Sequence, residues 1–126
     1  MTKIGIVTGS TRESRVNMQV AEWLKDFAEK LNTDAEFEIV DIKDYEAPLF
    51  KEAVPPAMLN KQYGSEVISN WSAKIDSLDG FIFVTPEYNK AISPALKNLL
   101  DYIGPEFGNK AAGIVGYGST LGVAAT

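Results

Sequence analysis

A chain of 126 residues with 45% apolar side chains is the size of one domain and can bury a core without disulfides. It has no cysteine and no histidine, which removes thiol nucleophiles, Ser-His-Asp catalysis, Cys/His zinc sites and the side chain that titrates nearest neutral pH. The net charge of −5 argues against a nucleic-acid partner and requires any bound anion to be held by local positive charge or backbone dipoles.

The N-terminal run in MTKIGIVTGSTR is too short for a signal peptide, and no segment approaches the ~18 apolar residues of a membrane span. KIGIVTGS reads as a buried parallel strand that stops at Gly9-Ser10. Residues 17–31 carry Val20, Leu24, Phe27 and Leu31 at helical spacing, and Trp23 and Ala28 widen that stripe into a first helix. AEFEIVDI, residues 35–42, reads as a second strand. Residues 43–64 are irregular, contain VPP and Gly64, and are long enough to suggest a substrate mouth or partner surface. Ser65 then opens a second helix with Ile68, Trp71, Ile75 and Leu78 on one face. DGFIFVTP is the third strand. Ser93 and Pro94 form an N-cap and first helical residue for ALKNLLDYI, and Gly104-Pro105 stops that third helix. KAAGIVGYGST gives a fourth strand. Trp23 and Trp71 are expected in the core, Lys97 and Asp101 at the surface.

This alternation predicts one α/β domain over residues 1–126, a parallel sheet with helices on both faces. The chain closes at LGVAAT, just after the fourth strand, so a last helix and strand are expected to be missing through C-terminal truncation.

Three strand ends then share the carboxyl edge of the sheet, where such folds bind ligands. GSTRESRVN, residues 9–17, offers a tight turn at Gly9, hydroxyls, a helix N-terminus and the planar forks of Arg12 and Arg15. It reads as an anion site, or as a solvated turn with two surface arginines. TPEYNKAIS, residues 85–93, presents the N–H groups of Glu87, Tyr88 and Asn89, a flat tyrosine face and an amide, a set suited to a polar heteroaromatic ring. The alternative is a turn whose tyrosine covers a helix end. GYGSTLG, residues 116–122, has glycines that would let backbone approach a ligand.

GSTRESRVN, FVTPEYNKAISPALKNLLDY and GIVGYGST together resemble the NADPH-dependent FMN reductase family of flavodoxin-like proteins, over nearly the whole chain. The resemblance implies strand order 2-1-3-4-5 and FMN at the carboxyl edge. It implies an enzyme that passes electrons from NADPH or NADH to quinones, azo compounds, chromate or free flavin by a ping-pong hydride mechanism, in a cytoplasmic homodimer. It puts Ser10, Arg12, Arg15 and Asn17 in the phosphate loop, Pro86, Glu87, Tyr88 and Asn89 beside the isoalloxazine ring, and Gly118, Ser119 and Thr120 in the bordering loop. No catalytic side chain and no metal are implied, because the flavin carries the chemistry. Many relatives have His-Gly where this chain has Lys90-Ala91. A flavin-binding electron carrier or redox sensor with little turnover is the alternative, and an inert fragment or interaction module a third reading.

Overall fold

Runs rich in Ile, Val and Phe form four parallel strands in the computed structural model, which describes residues 1–31 and 33–126. β1 spans Thr2–Thr8, β2 Ala35–Val40, β3 Gly80–Pro86 and β4 Ala111–Tyr117. Their spatial order is β2-β1-β3-β4, which meets the expected order over its first four strands. The register pairs Thr8 with Val84 and Pro86 with Tyr117, so the carboxyl ends of β1, β3 and β4 finish side by side. Among the described residues no helix is long and apolar enough to cross a membrane.

The helices are α1 (Asn17–Lys30), α2 (Glu66–Asp76) and α3 (Pro94–Tyr102). Alternate strand residues point to opposite faces, so Ile6 and Val7 enter different cores. On one face α2 and α3 pack Ile68, Trp71, Ile75, Leu96 and Leu99 against Val7, Val40 and Phe81. On the other, Ala21 of α1 packs with Ile6 and Val84, flanked by Val20 and Leu24. Each fully buried large aliphatic contributes roughly 1.5–3 kcal/mol.

The expected caps form: Ser65 accepts from the Ile68 N–H at 3.4 Å and Ser93 from the Leu96 N–H at 3.1 Å. Each is worth about 1 kcal/mol. Pro94 opens α3, and the helix ends before Gly104-Pro105. Lys97 and Asp101 pair at the surface, one turn apart on α3.

Trp71 is fully buried and its Nε1 donates to the Leu99 carbonyl at 3.0 Å. Trp23 corrects the expectation of a core residue: it is 60% exposed, as are Phe27 at 52% and Leu31 at 59%. The buried line of α1 runs through Asn17, Ala21 and Ala28, where small side chains let the helix lie close to the sheet. Trp23 and Phe27 stack on the flank, with ring centroids 5.7 Å apart.

The irregular region holds two short 3-10 turns, Ile42–Tyr45 and Pro56–Met58. Side chains pin it in place of a ladder. The Phe50 N–H donates to Asn98 Oδ1 at 2.7 Å, and the Tyr102 hydroxyl donates to the Pro48 carbonyl at 2.8 Å. Further on, the Tyr63 hydroxyl donates to the fully buried Glu106 carboxylate at 2.5 Å, and Ser72 does so at 2.6 Å.

Candidate functional site

The first loop leaves β1 through a close approach. A Cβ at Gly9 would lie 2.5 Å from the Val84 carbonyl oxygen, so glycine is required by contact with β3. Ser10 follows, buried, its Oγ accepting the Arg12 N–H at 3.3 Å. The α1 helix begins with Val16 at its N-cap. Among the described residues no side chain caps it, and its first turn carries no acid. The first-turn N–H groups and the positive end of the helix dipole are therefore left to an external acceptor.

Asn17 is fully buried and every polar atom of its amide is used within the chain. Its Oδ1 accepts the Gly9 N–H at 2.8 Å, and its Nδ2 donates to the Val84 carbonyl and the Tyr117 hydroxyl, both at 3.0 Å. Arg15 is committed as well. Its Nη1 and Nη2 donate to the two carboxylate oxygens of Asp41 at 2.8 and 2.7 Å, and Nη1 also donates to the Ser10 carbonyl at 2.8 Å. That bidentate bond holds the Asp41 carboxyl below the usual carboxylate range, helped by the Lys43 N–H and the Thr8 hydroxyl, and raises the Arg15 guanidinium. Arg12 has no carboxylate partner among the described residues. Its guanidinium carbon sits 5.8 Å from the centre of the Tyr88 ring, a weak cation–π contact that joins the first loop to the second.

The second loop differs from the expected row of free N–H groups. The Glu87 N–H donates to the Tyr117 carbonyl at 2.9 Å and the Tyr88 N–H to the Ala91 carbonyl at 3.0 Å. Among the expected donors, the Asn89 N–H alone has no partner among the described residues. The physical reason is a tight hairpin. Tyr88 and Ala91 exchange two backbone bonds across Asn89 and Lys90, whose φ values of 50° and 69° are both left-handed, as in a type I′ turn. Asn suits that region; Lys90 adopts it at a cost of about 1 kcal/mol. Pro86 is buried at the end of β3.

The third loop folds back on the second. The Glu87 carboxylate accepts from the Thr120 hydroxyl and from the Ala124 and Ala125 N–H groups at 3.0 and 3.3 Å. The Thr120 bond is the chief reason this carboxyl lies below its usual range. Gly118 and Ser119 are exposed at the turn. The space at Gly116 and Gly122 is filled by the chain itself, in place of the expected ligand approach. Gly122 has φ 71°, and a Cβ at Gly116 would lie 2.9 Å from the Gly122 carbonyl oxygen.

The structure thus brings the candidate residues onto one edge. Asn17 ties the β1, β3 and β4 ends together, Arg12 meets Tyr88, and Glu87 meets Thr120. A cavity of about 250 Å3 opens beside Thr11, walled by Ile42, Ala47, Ala95 and Leu99. A roomier one of about 470 Å3, lined by Phe50, Tyr63, Ile68 and Tyr102, lies under the irregular segment, and none of the candidate residues borders it.

Asp41, Thr8 and Tyr117 build this edge without standing among the expected site residues, and Ser93 was expected only as a helix cap. All four bond across the strand ends: Thr8 donates to Asp41 at 3.1 Å, and the Ser93 hydroxyl donates to the Gly9 carbonyl. Their signal was position, since each stands at or just past the end of a strand or at the start of a helix on the ligand side of the sheet.

A family model described as NADPH-dependent FMN reductase matches residues 2–126. The NAD(P)H-dependent FMN reductase ntnL of Nectria sp is 38% identical over 97% of this chain and 62% of its own length. A Schizosaccharomyces pombe NAD(P)H-dependent FMN reductase is 36% identical over 92% of this chain and 58% of its own. A Burkholderia 2-hydroxy-1,4-benzoquinone reductase is 33% identical over 88% and 55%. Among solved structures, the flavoenzyme NAD(P)H:acceptor oxidoreductase FerB of Paracoccus denitrificans aligns with a TM-score of 0.75 over 99% of this chain and 66% of its own, at 21% identity, and so speaks to the fold. The chain spans less than two thirds of the length of these relatives. With a family match across all but its first residue, the chain belongs to the NADPH-dependent FMN reductase family.

Proposed function

We propose that this domain binds FMN at the carboxyl edge of its sheet and acts as an oxidoreductase between NAD(P)H and small acceptors of the quinone, azo, chromate or free-flavin class. The observation that carries the reading is the donor set of the first loop. In a protein of net charge −5, the α1 N-terminus has neither a side-chain cap nor an acid, and the nearby Arg12 is free of carboxylates among the described residues. A terminal phosphate of roughly −1.5 to −2 charge fits such a set.

The remaining residues divide the work. Ser10, the Thr11 backbone N–H and the Arg12 guanidinium line the phosphate end. Pro86, Glu87, Tyr88 and Asn89 give the ring a wall, with Tyr88 as its flat face and Asn89 offering an N–H that has no partner among the described residues. Gly118, Ser119 and Thr120 border it, held against that wall through Glu87. Asn17 and Arg15 act from behind, by fixing where the loops start. FMN, when bound there, would supply two-electron redox chemistry between NADPH or NADH and the acceptor. The chain's own part is to bind, orient and leave one face open, so no side chain has to move a proton. One shared face implies ping-pong kinetics, and the active form is proposed as a homodimer.

The test begins with the purified chain and two ligands. FMN should bind with a yellow, perturbed spectrum and riboflavin much more weakly. Initial rates of NAD(P)H oxidation at several quinone concentrations should then give parallel reciprocal plots. A chain that binds FMN but turns over no acceptor would be an electron carrier, and a colourless one would remove the reading altogether.

A further inference from the structure

We propose that Asp41 is a positioning residue for the phosphate loop, acting through Arg15, and that Arg15 itself makes no contact with the phosphate. This rests on the FMN reading above and assigns roles within it. Asp41 stands just past the end of β2, on the next strand over from the loop it controls. Its carboxylate is held from four directions: by both Arg15 nitrogens, by the Thr8 hydroxyl at 3.1 Å and by the Lys43 N–H at 3.0 Å. Thr8 is fixed in turn, accepting the Ile42 N–H at 3.0 Å. The Arg15 and Asp41 side chains are only 13% and 20% exposed, so this is an anchored pair and not a fluttering surface contact.

The consequence for the loop follows from peptide geometry. Arg15 Nη1, held by Asp41, also grips the Ser10 carbonyl at 2.8 Å. In a planar trans peptide the carbonyl and the following N–H point in opposite directions. Fixing the Ser10 carbonyl on Arg15 therefore turns the Thr11 N–H away from Arg15, and that N–H has no partner among the described residues. The Arg12 N–H is bound to Ser10 Oγ, so the Thr11 donor matters to an incoming anion. The same pairing offsets the Arg15 charge and leaves Arg12 as the loop's cation without a carboxylate partner among the described residues. Lysine could not replace Arg15, because it lacks the fork that bonds Asp41 and Ser10 together.

The experiment measures FMN and riboflavin affinity by fluorescence titration in the native chain, Asp41→Asn and Arg15→Lys, with thermal unfolding as the folding check. Asp41→Asn and Arg15→Lys should each weaken FMN by about tenfold while riboflavin is nearly unchanged. If Arg15 instead contacts the phosphate and Asp41 merely competes for it, Asp41→Asn would tighten FMN, and the opposite sign overturns the proposal. Arg15→Lys with native FMN affinity overturns it too, as does an equal loss of both ligands in the variants, which would mark a general structural role. Should Asp41→Asn fail to fold, Asp41→Ser takes its place with the same sign expected, because only loss of the Asp41 carboxylate separates the two readings. Equal affinity of the native chain for FMN and riboflavin would be a different failure, that of the phosphate loop itself.

Discussion

The Asn17 amide nitrogen donates to the Tyr117 hydroxyl at 3.0 Å, across 100 positions of sequence. The same amide accepts the Gly9 N–H and donates to the Val84 carbonyl, so one buried side chain fixes the spacing of three strand ends. A ligand bridging those ends would meet a surface already set in place, with little ordering left to do on binding.

That arrangement predicts unequal costs for two neighbours. Asn17→Leu orphans a buried donor and a buried acceptor, each costing about 1–3 kcal/mol. Tyr117→Phe removes one hydroxyl from a half-buried site and should cost about 1 kcal/mol. Urea unfolding should therefore show a loss at least twice as large for Asn17→Leu as for Tyr117→Phe, with similar m-values. Equal losses would mean that Asn17 does not hold the strand ends.

Arg12 should behave as a ligand contact and not as a structural residue. It is exposed, and its partner within the chain is the Tyr88 ring at 5.8 Å. Arg12→Ala should change stability by no more than about 0.5 kcal/mol. The same change should weaken FMN by roughly tenfold or more, and less so at high salt, because a charged hydrogen bond to phosphate is lost. Riboflavin should be indifferent to it. Calorimetric titration of both ligands at two salt concentrations checks the binding outcomes, and urea unfolding checks the stability.

The sheet, the caps of α2 and α3 and the meeting of the candidate loops at one sheet edge were legible in the sequence because they follow from local pattern and strand order. Ser93-Pro94 caps α3 by its own neighbours, and a run such as GFIFVTP buries on both faces wherever it lies. The wiring of the site was not legible. Arg15 looks like a free phosphate fork until Asp41, 26 residues away, is brought beside it. Asn89-Lys90 carries no glycine to announce a type I′ turn, so the engagement of the Tyr88 N–H was hidden. Periodicity marks the apolar stripe of α1 but does not say which side of it the sheet covers.

The two tryptophans turn that last point into a measurement. Trp71 is fully buried and Trp23 is 60% exposed. Acrylamide or iodide quenching of the chain should resolve two emitting populations of similar size, one accessible and one protected. Trp23→Gln should remove the quenchable part at a stability cost within about 0.5 kcal/mol. Trp71→Ala should cost about 3–5 kcal/mol. A single protected population would place Trp23 under a cover, such as a second copy of the chain.

Glu106 should give the protein a acid-sensitive anchor. It is fully buried, and no salt bridge to it is found among the described residues. Burial alone would raise its carboxyl, but the hydroxyls of Ser72 and Tyr63 and the Gly104 N–H at 3.2 Å outweigh it and hold the group below the ordinary value. The same contact raises the Tyr63 hydroxyl, after burial, as a donor locked to an anion must be. A carboxylate with a depressed folded value stabilises the native state fully above its unfolded value of about 4.3, and loses that contribution as pH falls through the folded value. Stability should therefore be flat in this respect near neutrality and fall below about pH 4.3, with the Tyr63 end of the irregular segment loosening from α2. Glu106→Gln keeps the shape and cannot titrate, so it should be less stable than the native chain near pH 7 and show a shallower loss toward acid. Unfolding midpoints from pH 7 to pH 3 test this, and parallel profiles for the two proteins would assign the acid sensitivity to other carboxylates.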